Sequence, residues 1–428
     1  MVFHNLKFKL KSDKLLTDAF WATIGNGIGK GLGLLGGIII ARFLGKEVYG
    51  EFGILKSSFV LFATFSSFGF GYTSTKFISG EILKEKNLSL QYSNSVRIIT
   101  IFISILVTLL CIFFSKNIAE NFLKNSKLQN FFLYFSFLII LNALIITQTG
   151  ILAGYKKFKE LAYINLIVGI VSFITTIIFT YYWGLSGAIL SLAIAQGLNY
   201  LLNSIIIIRI QKQYRTTKKF SLENIKHVIN FSLPVSLQEV LYTLTSWGIN
   251  IIMIRLTSYG QVGLYNAAIQ WNSIIMLIPS ILGNVILSHM SSVEGNEKNK
   301  ILKRTLRINF LLTFIPSLIM IILSPLIIKI YGSTYSELSY ILPFCLISTV
   351  FMSLINVYSQ FYLATGKNWI LLVYKIFNQF AIIFLLIIFV RFFNLSGALS
   401  LVLSNLFISI AFLIILSYYY KIKINHHV

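Results

Sequence analysis

The chain reads as an all-α polytopic membrane protein, with about twelve transmembrane helices in two six-helix lobes related by a pseudo-twofold axis along the membrane normal. Three observations lead there. Of the 428 residues, 56% are hydrophobic and only 11% charged, with a mean hydropathy of +0.80, whereas a soluble domain carries about 25% charged residues. Apolar runs of about 20 residues, long enough to cross the hydrocarbon, recur along the whole length. Finally, Leu185-Ser186-Gly187-Ala188 returns 210 residues later as Leu395-Ser396-Gly397-Ala398. Arg42, Gly50 and Phe52 pair with Arg255, Gly263 and Tyr265 at an offset of 213, and Ala153 and Lys156 with Ala364 and Lys367 at 211. Three ordered matches with so little drift mark one membrane unit duplicated head to tail.

The runs fall at 15–41, 52–75, 96–115, 128–154, 161–182, 185–208, 228–255, 261–289, 306–330, 338–364, 369–391 and 394–420. Each is assigned a helix, because lipid does not satisfy an unpaired strand edge and the short alternating segments of a membrane barrel are absent. The first run is too long for a signal peptide and lacks a cleavage site. It is crowded with Gly25, Gly27, Gly29, Gly31, Gly33, Gly36 and Gly37. Small residues permit close helix packing in lipid, but seven exceed the needs of one packing face and favour a bendable helix. All five prolines lie in the second half, and Pro279, deep in the eighth run, predicts a kink. The basic stretch 211–227 divides an N-lobe, 1–210, from a C-lobe, 228–428. Six spans per lobe give both lobes the same direction of entry, the arrangement in which parallel repeats rock against each other during transport.

The net charge of +23 does not point to nucleic acid, because its distribution is topological. With a cytoplasmic N-terminus, 25 of the 36 Lys and Arg fall on the cytoplasmic side, eight outside, and three (Lys30, Lys56, Lys375) within helices. This positive-inside bias places both termini in the cytoplasm. Cys111 and Cys345 both fall within spans and imply neither a disulfide framework nor a metal site.

Several chemistries are disfavoured by what the chain lacks. Gly31-Leu32-Gly33-Leu34-Leu35-Gly36 matches a dinucleotide fingerprint but lies inside a span with no preceding strand. Gly29-Lys30 is followed by glycine, so a phosphate loop fails too. Asp13 and Asp18 are the only aspartates, and the five histidines are scattered over loops and ends. The external loops are short. Neither a metal, a cofactor nor an enzymatic activity is expected.

What remains is the set of polar groups at membrane depth. A charge there costs at least ~2.5 kcal/mol on insertion scales and faces a cavity or a partner. The set comprises Asp18 and Lys30 in the first span, Lys56 in the second, Glu239 in the seventh and Lys375 in the eleventh. Arg42, Arg255 and Arg391 sit at outer ends, where they can snorkel. Glu239 corresponds through the repeat to Asn26, one turn from Lys30. Lys30 and Glu239 are therefore read either as a structural pair or as parts of a wet cavity. In that cavity Lys30, Lys56 and Lys375, with Asn26 and Gln270, bind an anionic ligand. Glu239 and Asp18 are then the candidate groups for H⁺ or Na⁺ coupling.

The exit of the first span, Ile40-Ala41-Arg42-Phe43-Leu44-Gly45-Lys46-Glu47-Val48-Tyr49-Gly50-Glu51-Phe52-Gly53, resembles a signature of the Wzx-type O-antigen and polysaccharide repeat-unit flippases. These form the oligosaccharide flippase branch of the multidrug/oligosaccharidyl-lipid/polysaccharide exporter superfamily. Gly69-Phe70-Gly71, Gly80-Glu81, Gly150-Ile151-Leu152-Ala153-Gly154 and both Leu-Ser-Gly-Ala copies fit as well. The resemblance implies a substrate of undecaprenyl-diphosphate carrying an oligosaccharide. It also implies transfer between leaflets of the bacterial inner membrane by alternating access, and partnership with a polysaccharide polymerase and a chain-length regulator. The alternative on the same architecture is a cation-coupled drug or small-molecule exporter. Such exporters usually carry acidic cavities, and this chain has more lysine than carboxylate at depth.

Overall fold

A computed structural model of the chain describes residues 14–81, 86–212, 222–280, 290, 296–365 and 367–423. The long elements are all helices. They are α1 (Lys14–Ser67), α2 (Phe70–Glu81), α3 (Lys86–Phe113), α4 (Leu128–Gly154), α5 (Phe158–Lys212) and α6 (Leu222–Leu256). There follow α7 (Tyr259–Ile275), α8 (Asn296–Ile322), α9 (Leu338–Ala364), α10 (Asn368–Arg391) and α11 (Gly397–Lys423). Among the described residues, eight segments are long and apolar enough to cross a membrane. Helices α1 and α5 have 54 and 55 residues, about 80 Å at 1.5 Å per residue, against about 30 Å of hydrocarbon. Each is two spans joined end to end, with one non-helical residue at the joint: Gly45 (φ 70°) and Gly184 (φ 55°). With α6 and α7 at the seventh and eighth runs, the helices account for twelve spans.

The spacing predicts a loop at 42–51, but the helix continues to Ser67 and only Gly45 leaves it. A single left-handed residue, cheap for glycine, redirects the chain without a connection. Near Pro279 the expected interruption occurs: α7 ends at Ile275 and a turn follows at Met276. Pro279 has no N–H for the Ile275 carbonyl.

The duplication persists in element lengths. Helices α4 and α9 each contain 27 residues, starting at Leu128 and Leu338, 210 apart. Helices α3 and α8 are each followed by eight helical residues, 115–122 and 324–331. The positive φ of Gly184 recurs at Asn394 (51°), and that of Lys124 (53°) at Gly332 (98°).

The chain forms two compact units. The first comprises the residues up to Phe43 and Ile54–Ile251; the second comprises Leu44–Gly53 and the residues from Ile252 onward. In the first, Phe70, Ile78, Val96, Ile151, Ile207 and Val228 form a buried core. The helices approach at small residues, with a Cβ on Gly150 only 2.8 Å from the Gly71 Cα. Thr100 and Thr147 share a 2.9 Å hydroxyl bond, and Gln148 donates to Ser204 at 2.8 Å. The glycine-rich part of α1 runs unbroken alongside α5. Gly29 faces Asn165 and Gly169, and Gly36 faces Thr176, whereas Gly31 and Gly33 face open space. Part of the glycine set therefore serves packing.

In the second unit Leu302, Ile355, Phe361, Tyr362 and Leu416 are buried together, and the Tyr362 hydroxyl donates to the Leu416 carbonyl at 2.7 Å. At its other end the stretch 46–53 lies along α7. A Cβ on Gly260 would be 2.8 Å from Glu47 Cδ, one on Gly50 3.1 Å from Gly263 N, and one on Gly53 3.2 Å from Asn266 Cγ. All three pairs are repeat counterparts at an offset of 213. Counterparts that meet at three successive levels are the mark of a local twofold axis running along the two helices.

Candidate functional site

The seventh span carries a polar stripe. At about 100° per residue, Ser232, Ser236, Glu239, Thr243, Ser246 and Asn250 fall within an arc of about 80° on α6. Leu233, Leu237, Leu241 and Leu244 fill the opposite arc and are all exposed, as a lipid-facing row should be. Ser232, Ser236 and Asn250 are buried. Ser232 is hydrogen-bonded to Thr73 at 2.6 Å. The Thr243 hydroxyl is used by its own helix, donating to the Glu239 backbone carbonyl at 3.0 Å. Trp247 Nε1 donates to Ser58 at 2.8 Å. The Glu239 carboxyl is half-buried within this stripe, and neither ion pair among the described residues involves it.

In the second unit, Lys375 occupies α10. It is exposed, yet it does not share the face of the most exposed phenylalanines. Phe377, Phe380 and Phe384, at 63%, 64% and 65% exposure, point about 140–200° away from it around the helix. Asn378 and Gln379 flank it, and Leu371, Ile382 and Leu386, on its own side, are buried. Lys375 is thus an exposed ammonium on the side of α10 that carries its buried residues. Lys56, on α1 in the first unit, is also exposed and shares its face with Val60 and Thr64.

The other sequence-derived candidates divide. Asp18, Asn26 and Lys30 lie on the helical backbone of α1, and their side chains fall outside the described residues. Gln270 is in the second unit and is engaged at both ends: its amide nitrogen donates to the Tyr49 hydroxyl, and its oxygen accepts from Tyr331 at 3.0 Å. Trp271 Nε1 adds a bond to the Tyr331 hydroxyl at 3.1 Å, and Asn272 donates to Thr349 at 2.8 Å. Lys56 and Glu239 thus belong to one unit, Gln270 and Lys375 to the other. Gln360 is another polar residue of the second unit, and its carbonyl oxygen is buried with no hydrogen-bond partner among the described residues.

One cluster escapes sequence reasoning. Lys46 pairs with Glu337 at 2.6 Å. Gln261 donates to the other Glu337 oxygen at 3.0 Å and accepts from the Ala398 backbone N–H at 2.9 Å. Tyr340 donates to Glu337 at 3.3 Å. Partial burial raises the Glu337 carboxyl. The hydrogen bonds from Lys46 and Gln261, the Lys46 charge and the Tyr340 bond together outweigh burial and hold it below the usual carboxylate range. Four separated segments converge here, and no sequence spacing announces them.

These features define a multi-pass membrane protein with the fold of the transporters of the MOP superfamily. Across 94% of this chain and 99% of the other, it superposes on an inward-facing multidrug resistance MATE family transporter with a TM-score of 0.76 at 14% identity. A MOP superfamily transporter from Pyrococcus furiosus, reported with a binding pocket of reversed polarity, gives 0.69 at 14% identity over 95% of each chain. Among curated proteins none matches. The sequence profile of the polysaccharide biosynthesis proteins matches residues 15–294, and the chain belongs to that family.

Proposed function

We propose that the protein is a flippase. It carries undecaprenyl-diphosphate-linked oligosaccharide repeat units from the inner to the outer leaflet of the bacterial cytoplasmic membrane, by alternating access and with both termini in the cytoplasm. The observation that carries this reading is Lys375, an ammonium exposed on the packed face of a membrane helix in a polysaccharide biosynthesis family member. A cationic recess suits a diphosphate, and the neighbouring Asn378 and Gln379 suit sugar hydroxyls. Lys30 and Lys56 are assigned the same role, and Glu239, in its polar stripe, the role of a proton or sodium coupling group, with Asp18 as a second candidate. A polysaccharide polymerase and a chain-length regulator are proposed partners. The test is rescue of surface polysaccharide in a host lacking its flippase, scored by lipid-linked repeat units reaching the outer leaflet. If they stay inside while the protein is correctly inserted, the reading fails.

A second reading, cation-coupled export of a drug or small molecule, draws on Glu239 and on the likeness of fold to MATE transporters. Drug resistance or dye efflux without a polysaccharide phenotype would select it.

A further inference from the structure

Near the start of α5, in the first unit, an aromatic and basic cluster closes one end of a lipid-facing stripe. Lys159 Nζ lies 5.5 Å from the Trp21 ring centroid and 5.9 Å from that of Tyr163, and the two rings are 5.5 Å apart. Such contacts hold a flexible ammonium in place. Lys156, at φ 58° in the turn before α5, is exposed, as is Lys159. The adjacent Lys157 is paired with Glu160 at 3.0 Å, whereas neither Lys156 nor Lys159 is in an ion pair among the described residues. From Tyr163 the exposed residues step along one helix face as Ile167, Ile170, Ile174 and Ile178, ending at Tyr181, which meets Phe43 at 5.7 Å. The stripe from 163 to 181 is about 27 Å long, the height of the hydrocarbon layer. A basic, aromatic-walled site between two spans, above a bare apolar track, fits a lipid with an anionic headgroup.

We propose that Lys156 and Lys159, framed by Trp21 and Tyr163, bind the phosphate of an anionic phospholipid whose chains lie along Ile167, Ile170 and Ile174. With the orientation proposed above, that lipid belongs to the cytoplasmic leaflet. These residues belong to the first unit and Lys375 to the second, and failure of the lipid site leaves the transport reading untouched.

Native mass spectrometry of the full-length protein, equilibrated with equal phosphatidylglycerol and phosphatidylcholine, tests this. The wild type retains at least about fivefold more phosphatidylglycerol, the Lys156→Gln/Lys159→Gln variant loses that preference, and Lys156→Arg/Lys159→Arg keeps it. Inorganic phosphate at matched concentration does not displace the lipid. Equal retention in the glutamine variant, or equal retention of both lipids by the wild type, would overturn the proposal. Displacement by inorganic phosphate would point to a free anion instead. In a second mixture to which undecaprenyl diphosphate is added in equal amount, its retention in place of phosphatidylglycerol would make the surface a substrate site, and the assignment would again be lost.

Discussion

Replacing Gly50 by alanine sets a methyl carbon 2.6 Å from the carbonyl carbon of Tyr259 and 3.1 Å from the Gly263 nitrogen. Carbon atoms in contact stay about 3.5 Å apart, so the two helices must separate by about 1 Å, and the offending atoms are backbone that cannot rotate away. Overpacking of this kind costs about 1–3 kcal/mol. Gly263→Ala pushes from the other side: its methyl carbon falls 3.0 Å from the Lys46 carbonyl carbon. Because both substitutions open one crossing, the double variant should lose clearly less than the sum of the singles. Gly31→Ala and Gly33→Ala are the controls. Nothing lies within 4 Å of either new methyl, and alanine is favoured over glycine inside a helix by about 0.5–1 kcal/mol. Thermal unfolding in detergent should therefore show opposite signs: lower melting temperatures at 50 and 263, unchanged or higher ones at 31 and 33. Unchanged melting of Gly50→Ala, or strict additivity of the pair, would refute the close crossing.

Three further outcomes are expected. Lys375→Ala should reduce transport about tenfold or more at normal expression, with partial recovery in Lys375→Arg; full transport by the alanine variant would remove this lysine from the site. Glu239→Gln should abolish the pH or sodium dependence of transport while the melting temperature holds, and an unchanged dependence would exclude coupling through this group. Glu337→Gln weakens the tie to Lys46, at a cost of about 1 kcal/mol or less for a pair still partly open to solvent. Its carboxyl is held below the ordinary value of about 4.3, so the tie is fully present above that pH and fades as the pH falls through the lowered one. The stability gap between wild type and Glu337→Gln should stay constant from pH 8 to 5 and close only in stronger acid.

The duplication was open to reading because its marks are local: a four-residue string, a few pairs at a steady offset, and runs whose lengths the bilayer dictates. Span limits at 338–364 and 369–391 follow the helices to within one residue. The placing of Lys56, Glu239 and Lys375 on helices was legible too, since an ionisable residue in an apolar run is visible as such. Facing was harder. Only the exposure of Phe377, Phe380 and Phe384 shows that Lys375 lies on the other side of α10 from them. The predicted loop at 42–51 failed because a single glycine with positive φ, Gly45, replaces a turn, and no residue count distinguishes the two. The Glu47–Gly260, Gly50–Gly263 and Gly53–Asn266 pairs were within reach: a spacing of three, repeated in both copies at 213, is the pattern expected of equal helices lying side by side. The Lys46–Glu337–Gln261 cluster was not, since its members are joined only by tertiary packing.

Residues 44–53 pack with the second unit, although the chain before and after them packs with the first. Severing the protein at its polar midpoint would therefore yield an amino-terminal fragment bearing ten residues whose packing partners had left with the other piece. The carboxyl-terminal fragment, in turn, would lose the strip that covers Gly260 and Gly263. Two separately expressed halves should be stable only when made together, whatever independence their common ancestry once gave them.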